Sequence, residues 1–122
     1  MMPRTALVVD DSDIMRQMVA FTLREAQFAV AEAANGRQAL EKLDSSSFDL
    51  VITDLNMPVM DGINFIRQAR SRPTSRYVPI LMLTTESQNE KKMEGKSAGA
   101  TGWIVKPFDP AKLLMVIQRV LP

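Results

Sequence analysis

Five short runs of aliphatic and β-branched residues punctuate the chain: Thr5 to Val9, Phe28 to Ala33, Val51 to Asp54, Val78 to Thr84 and Trp103 to Val105. Between them lie longer stretches whose apolar residues recur at helical spacing. Runs of this length suit strands, and a strand followed by a helix must cross back over the sheet before pairing again, so the strands must lie parallel. The pattern predicts an α/β fold: one doubly wound domain with a five-stranded parallel sheet and five helices. A chain of 122 residues that is 46% hydrophobic and 24% charged supports one such core. No repeat or low-complexity segment divides it, so residues 1–122 read as a single domain.

The helical stretches carry their own boundaries. Ser12 or Asp13 caps the first, in which Ile14, Met18, Phe21 and the segment from Leu23 to Ala26 form a broad apolar face. Asn35 caps the second, with Ala39, Leu40 and Leu43 facing inward, and Asp61-Gly62 opens the third, with Ile63, Ile66 and Ala69 or Phe65 inward. Ser87 and Glu90 have the spacing of a capping box for a fourth helix over 88–98. That helix is poor in apolar residues around Met93 and should be the least firmly held; Gly99 can end it. Asp109 followed by Pro110 starts the last helix, whose core stripe is Leu113, Val116, Ile117, Val120 and Leu121. Arg67, Arg70, Arg72 and Arg76 read as a solvated face rather than a basic patch.

Polar residues stand where four of the five runs end. Asp54 closes the third run before Leu55-Asn56-Met57-Pro58 breaks it, and open α/β sheets present their chemistry at that edge. Asp10 and Asp11 follow the first run, Thr84 ends the fourth and Lys106 follows the fifth. With either common doubly wound order the first and third strands can be close neighbours, which gathers three carboxylates into one small site. Such a cluster repels itself unless a cation enters it. With hard oxygen donors and no Cys or His in the chain, Mg²⁺ is the natural choice. The lack of Cys, the absence of an apolar signal segment after Met1 and the absence of any run of membrane-spanning length point to a cytoplasmic protein with no membrane insertion. A formal net charge of +1 provides no global field for nucleic acid.

Asp10-Asp11, Asp54 within Asp-Leu-Asn-Met-Pro, the Leu-Met-Leu-Thr-Thr-Glu run ending at Glu86, and Gly99 to Phe108 resemble the receiver domains of two-component response regulators. The likeness covers essentially the whole chain and is greatest to single-domain chemotaxis regulators of the CheY type. It implies a flavodoxin-like sheet of order 2-1-3-4-5. It implies a phosphorylation-activated signalling switch, not an enzyme with a separate turnover substrate, in which Asp54 accepts a phosphoryl group from the phosphohistidine of a sensor histidine kinase. It implies Mg²⁺ held by Asp11, Asp54 and the backbone carbonyl of Asn56, with Asp10 assisting through water. Lys106 then offers a compact positive charge to the phosphoryl oxygens, and Thr84 a hydroxyl. Trp103 stands at the aromatic switch position where Tyr or Phe is usual, and its bulk should bias it outward. Asn56 and Glu86 match the pair found in rapidly self-dephosphorylating chemotaxis regulators. A downstream protein partner is expected on the face formed by helix 88–98, strand 102–105 and helix 110–121.

Taken singly these residues are ordinary: caps, an Asx turn, an end-of-strand lysine, a core tryptophan. Jointly they sit at the exits of the right four strands. A Mg²⁺-dependent aspartyl-phosphate phosphatase would carry Asp-x-Asp, whereas Asn56 holds the second place and no cap domain is present. A flavin-binding module would need phosphate-cradling hydroxyl or glycine-rich loops. A receiver of a larger regulator or a phosphorelay intermediate would share the same site. The absence of a DNA-binding segment after Pro122 favours action through a protein partner.

Overall fold

A computed structural model describes residues 3–85 and 89–121. Strands β1 (Thr5–Val9), β2 (Ala29–Ala33), β3 (Leu50–Asp54), β4 (Ile80–Thr84) and β5 (Gly102–Val105) alternate with helices α1 (Asp13–Glu25), α2 (Gly36–Ser45), α3 (Gly62–Arg70), α4 (Asn89–Ala98) and α5 (Pro110–Val120). The strands pair in parallel in the order β2-β1-β3-β4-β5, the flavodoxin-like arrangement expected.

Side chains alternate across a strand, so the inner strands feed two cores, one on each side of the sheet. Leu7, Val9, Val51 and Met82 face α2 and α3 through Leu40, Leu43, Ile63, Phe65 and Ile66. Ala6, Val8, Ile52, Leu81 and Leu83 face the other way, against Val19 and Leu23 of α1 and Leu113 and Ile117 of α5. Every residue of β3 is buried because helices cover both its faces and a strand flanks each edge.

The caps form as their chemistry demands. Ser12, rather than Asp13, takes the first: its Oγ accepts from Met15 N at 3.2 Å. Asn35, Asp61 and Asp109 accept from Gln38, Asn64 and Ala111 N–H groups at 2.9, 2.8 and 2.9 Å. Gly99 ends α4 with a φ of 117°, a region open chiefly to glycine. The capping box at Ser87 lies outside the described residues, as does Glu86.

Two expectations need correcting. Ile14, Met18 and Phe21 do not face the core: they are 74%, 51% and 64% exposed, and Arg24 and Glu25 are exposed too. The inward arc of α1 is instead Val19, Ala20, Thr22 and Leu23, with Met15 packed beside it. The helix has two apolar arcs and the sheet covers one. Nor is the arginine series uniformly solvated. Arg70 is half-buried and donates to the carbonyls of Gly99 (2.9 and 2.8 Å), Ser75 (3.0 Å), Arg76 (3.1 Å) and Val78 (2.6 Å). That guanidinium ties the end of α3 to the loop before β4 and to the end of α4. Among the described residues, no helix is long and apolar enough to cross a membrane.

Candidate functional site

Parallel pairing puts all strand ends on one edge. Val9 is level with both Ala33 and Thr53, Asp54 with Leu83, and Thr84 with Val105. The residues one step further on, Asp10 and Lys106, therefore emerge beside Asp54. Carboxylate oxygens of Asp10, Asp11 and Asp54 lie within 4.8 Å of one another. Asp10 and Asp54 are buried, at 0% and 6% exposure, and Asp11 is exposed, so the cluster has two walls and one open side.

Each buried acid is held. Asp54 Oδ1 accepts from Lys106 Nζ and from Leu55 N, both at 2.9 Å. Asp10 Oδ1 accepts from Ser12 N at 2.9 Å, and its Oδ2 lies 3.5 Å from Lys106 Nζ. Burial pushes the Asp10 carboxyl above the ordinary carboxylate range; the Ser12 N–H opposes this, the Asp54 charge reinforces it, and Lys106 opposes it. By contrast, no hydrogen bond or ion pair among the described residues fixes the Asp11 carboxylate. Three carboxylates and one ammonium leave two negative charges in a small space. A hard divalent cation such as Mg²⁺ suits that oxygen donor set in both charge and chemistry.

The backbone around the acids is tight. Gly62, the first residue of α3, donates its N–H to the Leu55 carbonyl at 2.9 Å, and a Cβ there would collide with the Asp54 carbonyl. A glycine is required for α3 to start this close to the end of β3. Thr84 is buried at the end of β4, and its carbonyl accepts from Lys106 N at 2.6 Å, which locks the ends of β4 and β5 together. The Lys106–Pro107 peptide bond is cis. Asn56 is exposed in the loop leaving β3. Trp103 on β5 is 39% exposed, with Lys92 Nζ of α4 at 5.3 Å from its ring centroid. It lies away from the acids, on the surface shared with Met93 and Lys96.

The sequence matches the response regulator receiver domain family over residues 6–118. The chain belongs to that family. Among relatives of this receiver domain is the chemotaxis protein CheY of Pseudomonas aeruginosa, 38% identical over 115 residues that make up 93% of each chain. The chemotaxis protein CheY4 of Vibrio cholerae superposes with a TM-score of 0.93 at 52% identity, covering 97% of this chain and 98% of its own. The receiver domain of a sensor histidine kinase from Pseudomonas aeruginosa, solved with a magnesium ion in its active-site cleft, superposes at 0.91 with 28% identity and 98% of both chains covered. Receiver domains act in two-component signalling, where a histidine kinase is the donor, and are not classical enzymes.

One residue of this neighbourhood escapes a reading of strand ends. Arg16 of α1 lies behind the acids, its side chain only 14% exposed, donating to the Asp10 carbonyl at 2.7 Å. Its i,i+3 spacing from Asp13, and an isolated Glu32 in an otherwise apolar β2, were the available signals.

Proposed function

We propose that the chain is a cytoplasmic, phosphorylation-activated switch of a two-component pathway, and that the pathway is chemotaxis. Asp54 is the phosphoacceptor. Its Oδ1 is occupied by Lys106 Nζ and Leu55 N, which leaves Oδ2 for in-line attack on phosphorus. A bond forms between that oxygen and phosphorus while the P–N bond to the donor imidazole breaks, and the departing nitrogen keeps the electron pair. Such a transfer needs positioning and charge neutralisation more than acid–base chemistry. Asp11, Asp54 and the Asn56 carbonyl would hold Mg²⁺, with Asp10 assisting through water; when bound, the ion neutralises charge on the phosphoryl oxygens. Lys106, already 2.9 Å from Asp54, does the same from the opposite side.

Thr84 then turns its hydroxyl to the new phosphoryl group, and the indole of Trp103 moves inward toward the space left. Phosphoryl contacts to Thr84 and Lys106 exist in one state only, which is what lets the modification shift the equilibrium. The face of α4, β5 and α5 carries exposed Met93, Trp103 and Val105, and a downstream protein binds there. Asn56, with Glu86, tunes return to the unmodified state by holding the attacking water. The chemotaxis assignment is supported by relatives named as chemotaxis proteins at 38% and 52% identity over nearly the whole chain.

The observation that carries this reading is the convergence of Asp10, Asp11, Asp54 and Lys106 from three strand ends onto one point. The test is labelling with a phosphohistidine donor or a small acyl phosphate in Mg²⁺, followed by mapping of the label. Asp54→Asn is expected to abolish uptake, and undiminished label in that variant refutes the assignment.

A further inference from the structure

The carboxylate ends of a cation site are only as well aimed as the backbone that carries them. Asp10 and Asp11 ride on the turn between β1 and α1, and the Asp11 side chain makes no stabilising contact of its own among the described residues. Its aim depends on the peptide joining it to Asp10. That peptide's carbonyl, from Asp10, accepts from Arg16 Nη1 at 2.7 Å. The same guanidinium has two further acceptors: Nε donates to Glu32 Oε1 on β2 at 3.2 Å, and Nη2 to Asp13 Oδ1, at the start of α1 itself, at 2.6 Å. Three acceptors in different directions occupy three separate nitrogens of one planar fork, a geometry that a lysine ammonium does not reproduce.

We propose that Arg16 is a positioning residue for the cation site: by clamping the Asp10 carbonyl against Glu32 and Asp13, it sets the direction in which Asp10 and Asp11 present their oxygens. The inference rests on the reading of the acidic cluster as a Mg²⁺ site. Groups that orient ligands without touching the metal typically change metal affinity about 10- to 100-fold when removed.

Charge and position pull in opposite directions at Arg16, which makes the sign of the effect decisive. As a bare positive charge near the cluster, Arg16 repels a cation, so its loss would tighten Mg²⁺ binding. As a clamp, its loss weakens binding. Arg16→Lys keeps the charge and forfeits the fork, so repulsion alone predicts no change there, while the clamp predicts weakening.

The experiment is a calorimetric Mg²⁺ titration of unphosphorylated wild type, Arg16→Met and Arg16→Lys, with urea denaturation in the absence of divalent ions to confirm that each is folded. Both variants are expected to bind about 10-fold or more weakly than wild type. Acyl-phosphate labelling then shows a raised half-saturating Mg²⁺ concentration with a recovered plateau, the split that separates binding from chemistry. Unchanged or tighter binding in folded Arg16→Met overturns the inference. Should that variant not fold, Arg16→Lys decides it, weakened binding in support and unchanged binding against. Absence of Mg²⁺ binding in wild type would overturn both this inference and the site reading beneath it.

Discussion

At Asp10 stability opposes the role proposed for it in the cation site. The residue is fully buried, faces Asp54, and keeps its proton more tightly in the folded chain than in the unfolded one because burial penalises the anion. A carboxyl with a raised folded pKa stabilises the fold most fully below the ordinary carboxylate value, and that contribution is lost as pH rises through the raised value. Near neutrality Asp10 is therefore a cost to the Mg²⁺-free protein. Asp10→Asn is expected to raise stability without divalent ions by about 1 kcal/mol, or about 4 °C in Tm for a domain of this size. It should also flatten the decline in stability across that pH window. Wild type should gain about 1.4 kcal/mol from Mg²⁺ at ten times its dissociation constant, and Asp10→Asn much less. Thermal melts with and without Mg²⁺ check both statements, and an unchanged Mg²⁺ increment in the variant would remove Asp10 from the site. The acids, Thr84 and Lys106 were legible in the sequence because each stands at the end of an apolar run, where strand pairing alone decides their neighbours. Arg16 and Arg70 were not, since their partners are carbonyls and side chains gathered from several elements.

At the scale of elements, α1 shows where periodicity misleads. Ile14, Met18 and Phe21 repeat at helical spacing as regularly as Met15, Val19 and Leu23 do, and hydrophobicity alone does not say which set the sheet covers. The choice is made by β1 and β3, whose Ala6, Val8 and Ile52 receive Val19 and Leu23, and by Ser12, whose capping bond sets the rotation of the first turn. The outer set lines a groove with Phe108 and Pro110. Replacing the two sets should thus have unequal effects. In urea titrations Phe21→Ser is expected to change the unfolding free energy by no more than about 0.5 kcal/mol, as for a surface change, whereas Leu23→Ala should cost about 2–5 kcal/mol through the cavity it leaves. Equal losses would mean that Phe21 is buried in solution. The inward residues of α2, α3 and α5 were legible because each of those helices has a single apolar arc, and α4 has none. Only Gly95 and Ala98 of the described side-chain positions in α4 are buried.

Across the whole molecule, the chemistry at the end of β3 and the exposed face of β5 are separated by β4, and Thr84 is the residue that meets both. Its carbonyl receives the Lys106 N–H, while its side chain sits at the edge carrying Asp54. Trp103 is the chain's single tryptophan, so its emission reports the far end of this path without interference. In the unmodified structure the indole is 39% exposed and lies under Lys92 Nζ at 5.3 Å. A cation–π contact at an exposed site is worth about 0.5–1 kcal/mol, enough to favour the outward indole about two- to fivefold. Acyl phosphate with Mg²⁺ is expected to blue-shift the emission as the ring moves inward. Thr84→Ala should still take label on Asp54 but lose the shift, because the hydroxyl that follows the phosphoryl group is gone. Lys92→Ala should enlarge the shift at equal label, since the outward state has lost its restraint. A normal blue shift in labelled Thr84→Ala would mean that the signal crosses the sheet by another route, leaving Thr84 with a local part in holding phosphate.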